Sequence, residues 1–337
     1  MLHALAASLS QIFSDRTPMV NFTTVSRWLP LVVCASLLGC TEPEPETNER
    51  MTIGVVSYGA SNVSLEKYQR FQNYLAEQTK IPFDLEIAYN ELQAAQQIDR
   101  GNWQVVFAPP GLAAMADKRG YEQQFVLDRP NQSEYALIVV RADSEVNEVV
   151  DLGFKDIAMG EPGSAAGYYL PLYYLYGLTL NKVHFAPTPA TVLEWVSDGT
   201  VAAGAISEQE FETFRTKFPD TEFKVLLHSK DQTAKERPIP PGVVLLGVVE
   251  RGQGEFIARI MREAPADITS DAQYIPTGNL PDYKEMVRVV EKIKPLESQV
   301  KQSPAVLTLE HLDAVSSKEL TQPVEAAPVP ETVPADS

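Results

Sequence analysis

Apolar positions recur along this chain in two registers. Thr52–Tyr58 is a β-rich apolar run, after which Leu65, Tyr68, Phe71 and Leu75 fall on one face of a helix. Phe83, Leu85, Ile87 and Tyr89 alternate with polar residues, as a half-buried strand does. Leu92–Ile98 reads as helix, and Gln104–Ala108 as a short strand ended by Pro109-Pro110-Gly111. Leu112–Ala116 opens another helix, and Tyr135–Val140 is a continuous apolar run suited to a central or crossover strand.

A second series repeats the alternation. Strands are predicted at Asp156–Met159, Val183–Phe185, Ala203–Ile206 and Phe223–Leu227, with helices at Ala166–Tyr176, Ala190–Ser197 and Glu208–Phe218 between them. Pro238-Ile239-Pro240-Pro241-Gly242 precedes a return strand, Val243–Val249, and helices at Glu255–Ala264 and Tyr283–Ile293 close the series. Strands alternating with helices imply α/β layers with largely parallel sheets. Two series joined by two extended crossings imply two lobes around a cleft. On this reading residues 51–137 and 241–295 form the first lobe, 138–240 the second, and 296–320 a C-terminal extension.

The ends read differently. Leu29–Leu38 is a short apolar run behind Arg27, closing in Leu37-Leu38-Gly39-Cys40. A basic flank, a short apolar core and small residues mark a secretory signal, and the run falls short of the ~20 residues of a membrane span. Residues 1–39 are therefore expected to be removed, and translation from Met19 would give that signal an ordinary length. A cysteine directly after the cut resembles a bacterial lipobox, which makes Cys40 the expected lipidation site. Residues 40–50, polar and rich in Glu, Pro and Thr, read as a tether, and 321–337, rich in Pro, Ala and Glu, as a disordered tail.

Charge narrows the partners. The formal net charge is −17; losing Asp15, Arg16 and Arg27 with the signal removes a net +1 and leaves −18. Such acidity argues against nucleic acid and against electrostatic adhesion to anionic lipid, so membrane attachment falls to the acyl chains. Of the two cysteines, Cys34 leaves with the signal and Cys40 becomes the anchor, so no disulfide is expected.

Chemistry gathers at Gly160-Glu161-Pro162-Gly163-Ser164-Ala165-Ala166-Gly167-Tyr168, between a predicted strand and a predicted helix. Amides at a helix N-terminus form an anion site, and small residues allow close approach. Ser164 adds a hydroxyl and suits an N-cap. By physics alone, an ordinary capped helix start is the commoner meaning of such a turn.

An ordered series of segments resembles the periplasmic substrate-binding proteins of phosphate, phosphite and phosphonate ABC transporters. It comprises Ile53-Gly54-Val55-Val56-Ser57-Tyr58, Phe107-Ala108-Pro109, Ile138–Ser144, Gly160–Tyr168, Val201–Ile206 and Pro238-Ile239-Pro240. The resemblance implies an α/β, two-lobed periplasmic-binding-protein type II fold, with the ligand cleft between lobes joined by two crossover strands. It implies no enzyme and no cofactor. The implied partners are a small anionic solute of the phosphonate or phosphate kind and an inner-membrane ABC permease. The implied ligand residues are Tyr58, Phe107, Ser164, Ala165, Ala166, Gly167 and Thr188. The family's Ser-Thr-Ser donors stand here as Ser164-Ala165-Ala166, the loop histidine falls at Pro189, and the acid after Ile-Pro-x is Gly242. These departures leave a second reading open: a binding-protein-like sensor or envelope adaptor with a degenerate pocket.

Other groups read as structural. Tyr168, Tyr169, Tyr173, Tyr174 and Tyr176 crowd one helix and are expected to pack it on a sheet. His184, His228 and His311 show no metal-ligand spacing. Ser164 lacks a nucleophile elbow, since Ala166 stands where Gly would be needed. Gly252 and Gly254 lack the third glycine of a dinucleotide fingerprint.

Overall fold

The computed structural model describes residues 50–56, 62–128, 135–231 and 238–308. Tyr58, Cys40, the signal, residues 40–49 of the tether and the tail lie outside the described residues. The first part of the chain runs β1 (Met51–Val56), α1 (Asn62–Thr79), β2 (Phe83–Ala88), α2 (Glu91–Asp99), β3 (Val105–Ala108), α3 (Pro110–Ala116) and β4 (Glu122–Leu127). The second runs β5 (Ala136–Arg141), β6 (Asp156–Met159), a wide helical turn at Ala165–Tyr169 leading into α4 (Leu170–Tyr174), β7 (Thr179–Leu180), β8 (Lys182–Phe185), α5 (Pro189–Ser197), β9 (Ala203–Ser207), α6 (Glu208–Phe214) and β10 (Phe223–His228). The chain then returns through β11 (Val243–Leu246), α7 (Arg251–Arg262), α8 (Ala266–Ala272) and β12 (Tyr274–Ile275), and ends in α9 (Lys284–Ile293) and β13 (Ala305–Val306).

Two main sheets result. One has the order β12-β4-β11-β3-β1-β2, the other β10-β5-β9-β6-β8, while β13 pairs with β7. The sheets are mixed, which corrects the expectation of largely parallel ones. β1 is parallel to β2 and β3, and β6 to β8 and β9, because a helix carries the chain back each time. β11 is antiparallel to β3 and β4, and β5 to β9 and β10, because these strands enter their sheets from the other lobe.

Strand parity divides the first lobe. Ile53, Val55, Val105 and Phe107 face one way, toward Phe71, Phe125 and Tyr274. The Phe107 ring meets those of Tyr68 at 4.9 Å and Phe71 at 5.4 Å, edge to face. Val56, Val106 and Ala108 face the other way. There Trp103 lies so flat on Gly54 that a Cβ would stand 2.0 Å from the indole, and its Nε1 donates to Glu86 Oε2 at 2.9 Å.

The described residues fall in one compact unit, Asn48–Ser337. A single apolar cluster joins the two sheets: it runs from Leu112 and Met115 through Met286, Val290 and Ile293 to Tyr168, Leu172 and Ile157. The lobes thus share a buried seam, with about 1.5–3 kcal/mol for each fully buried large side chain. Among the described residues no helix is long and apolar enough to cross a membrane.

Candidate functional site

The loop from Gly160 to Gly167 leaves β6 and turns into the helix at Ala165. Pro162 and Gly163 make the turn, Gly163 at φ +113°. Ser164 is extended, and its Oγ accepts from Gly167 N at 3.0 Å, the geometry of an N-cap. Ser164 O accepts from both Tyr168 N (3.2 Å) and Tyr169 N (3.0 Å), which opens the first turn. Pro171 explains part of this. It has no N–H for the carbonyl of Gly167, and that oxygen instead accepts from Gly160 N at 3.0 Å.

Besides Gly160 N, two more of the loop's amides are already used. Ser164 N donates to Glu161 O at 3.1 Å and Gly167 N to Ser164 Oγ. Among the described residues the amides of Ala165 and Ala166, in the first turn of the helix, have no backbone acceptor.

The loop touches the first lobe directly. A Cβ on Gly111, at the start of α3, would stand 2.0 Å from Gly163 O and 2.6 Å from Ala165 N. One on Gly163 would stand 2.6 Å from Glu91 Cβ and 2.8 Å from Leu112 Cδ2. Glycine at both positions lets the backbones meet. Beside this contact a cavity of about 30 Å³ remains, lined by Ser164, Gly167 and Thr188 together with the carboxylates of Glu91, Glu161 and Glu210. That is room for about one or two waters. No Lys, Arg or His lines it.

The carboxylates were not singled out from sequence. Ser207-x-x-Glu210 is legible as a capping box, and Glu210 Oε2 accepts from Ser207 N at 3.2 Å and Oγ at 2.7 Å. Nothing in the sequence says that this box walls a cavity. Burial pushes the Glu210 carboxyl above its ordinary range, against those two hydrogen bonds. Burial also raises Glu161, which Lys301 partly offsets.

The structure brings Ser164, Gly167 and Thr188 to one cavity, with Ala165 and Ala166 buried behind it. Thr188 caps α5, its Oγ1 accepting from Thr191 N at 3.2 Å. Phe107 is not among them: it is buried in the core on the α1 side of β3. Tyr168 and Tyr169 are fully buried, and Tyr173 and Tyr176 flank Lys292. His184 pairs with Asp156 at 2.9 Å and His228 with Glu208 at 3.2 Å. Among the described residues no His, Cys, Asp and Glu cluster could hold a metal ion.

Two α/β lobes meeting at a glycine-rich loop form an architecture suited to binding a small solute. Residues 53–248 match the family of periplasmic substrate-binding proteins of phosphonate ABC transporters, and the chain belongs to that family. Its members are extracytoplasmic and non-enzymatic, and work with a membrane permease. No curated protein matches the chain by sequence. Solved structures share its fold at low identity. XAC2383 from Xanthomonas citri bound to ATP is 16% identical over 73% of this chain and 98% of that one, with a TM-score of 0.57. A binding protein component of an ABC phosphonate transporter (PA3383) from Pseudomonas aeruginosa is 15% identical over 80% and 94%, at 0.54. PhnD1 from Prochlorococcus marinus in complex with methylphosphonate is 14% identical over 73% and 99%, at 0.52.

Proposed function

We propose that this chain captures a small oxyanion of the phosphonate or phosphate type in the cleft and hands it to an inner-membrane permease, while lipid on Cys40 holds it to the cell envelope. The observation that supports this is the apposition of the Gly160–Gly167 loop to Gly111 across the lobes. The amides of Ala165 and Ala166, with the hydroxyls of Ser164 and Thr188, are the donors; Tyr58 is the expected partner from the first lobe. A cavity of about 30 Å³ cannot hold a phosphonate, so the solute enters when the lobes part. Neutral Glu161 and Glu210 can donate to an oxyanion, whereas ionised ones repel it, so capture strengthens as pH falls.

A melting-temperature screen of the full chain against methylphosphonate, phosphate, phosphite and sulfate tests this. A ligand at 100 times its dissociation constant adds about 2.7 kcal/mol. Ser164→Asp keeps an N-cap acceptor but places a charge in the site, so it should fold normally and lose the shift.

A sensor or adaptor role is the second reading. The acidic lining of the cavity, from Glu91, Glu161 and Glu210, and the closed contact at Gly111 favour it. Silence of the whole panel at millimolar concentration would select it.

A further inference from the structure

We propose that the segment from Tyr283 to Leu307 is a strap that holds the two lobes together in the absence of solute and sets how readily the cleft opens. It forms a third link between the lobes, beyond the two crossings that follow β4 and β10.

At its first end the strap belongs to the first lobe. Tyr283 Oη donates to Pro241 O at 2.6 Å, at the point where the returning chain enters β11. α9 packs on α3, the helix whose Gly111 seals the loop at Gly163. On its other side α9 lies against the wide turn and α4, so it sits between the lobes. Lys292 Nζ is 4.5 Å from the ring centres of both Tyr173 and Tyr176. Met286, Val289, Val290 and Ile293 are all buried in this position.

At its far end the strap is sewn to the second lobe. β13 pairs antiparallel with β7, Ala305 opposite Leu180 and Val306 opposite Thr179. Leu307 N donates to Leu178 O at 2.9 Å, Gly177 N to Leu307 O at 2.8 Å, and Ser303 Oγ to Asn181 O at 2.8 Å. Leu296, Val300 and Leu307 are fully buried. A hinge motion that parts Gly111 from Gly163 must therefore slide α9 over one neighbour or peel β13 from β7. Apolar seams of this kind are bistable rather than continuously deformable, which makes the strap a threshold for opening.

Hydrogen exchange of the full chain without solute, read peptide by peptide, tests the strap independently of what the cleft binds. Leu307→Asp removes its anchor, and Leu307→Ala is the milder variant should the first unfold. Removing a fully buried leucine side chain weakens its segment by a factor of ~30 or more. Exchange is expected to rise by about that factor in β7 and β13, and also in α3 and residues 160–167, with β1 and β9 unchanged. A rise confined to β7 and β13, with α3 and the loop as slow as before, would overturn the proposal. If Leu307→Asp exchanges everywhere, the pattern in Leu307→Ala decides.

Discussion

Three glycines separate the cost of contact between the lobes from the cost of backbone conformation. Gly177 has φ +99° and open space around it; Gly163 has φ +113° and is crowded by Glu91 and Leu112. Gly111 needs no unusual conformation, but a Cβ there would stand 2.0 Å from the carbonyl oxygen of Gly163. Gly177→Ala should therefore cost only strain, about 1–3 kcal/mol. Gly111→Ala should cost only overpacking, about 1–3 kcal/mol, because the atom it meets is backbone and cannot swing aside. Gly163→Ala carries both, about 2–6 kcal/mol. Since Gly111 and Gly163 share one contact, their double variant should cost less than the sum: once the lobes are apart, the second methyl meets nothing. Urea titration reads all four, and an unchanged slope would show that midpoints report stability. If Gly111→Ala is silent and Gly163→Ala costs no more than Gly177→Ala, the lobes do not touch there in solution.

Three further outcomes follow from single residues. Glu210 is raised by burial above its ordinary 4.5, so the folded state favours its neutral form and its contribution fades as pH rises through the raised value. Glu210→Gln keeps an acceptor for Ser207; its stability relative to wild type should grow from about pH 4.5 upward and be flat below, and a constant difference across pH would contradict the burial argument. Gly54→Ala should cost about 1–3 kcal/mol or more by displacing the Trp103 ring, visible in near-ultraviolet circular dichroism, and Trp103→Leu should restore part of the loss. Cys40→Ser should abolish incorporation of labelled fatty acid and release the protein from the membrane fraction; unchanged fractionation would remove the lipid anchor from the proposal.

Much of this fold was legible in the chain. The spacing of Leu65, Tyr68, Phe71 and Leu75 locates α1, and that of Tyr283–Ile293 locates α9. The longer apolar strand runs are legible. β7, β12 and β13 have two residues each, too few for a period, and β4 begins Glu122-Gln123-Gln124, which reads as a polar loop. Strand direction was not legible, because the side-chain period is the same in parallel and antiparallel pairs. The candidate site was half legible. Ser164 as N-cap follows from residue type and position, but the face of β3 that carries Phe107 is set by the packing of α1, which a four-residue strand does not reveal. Glu91, Glu161 and Glu210 are far apart in sequence, and only the folded topology places them around one cavity.

The most direct test is calorimetric titration of the full chain with methylphosphonate and with phosphate at pH 5 and pH 7.5, beside Ser164→Asp. An oxyanion held by the loop amides among carboxylates predicts saturable binding by wild type, tighter at the lower pH, and none by the variant. Heats indistinguishable from dilution at both pH values, in wild type and variant alike, would contradict an oxyanion site at this loop.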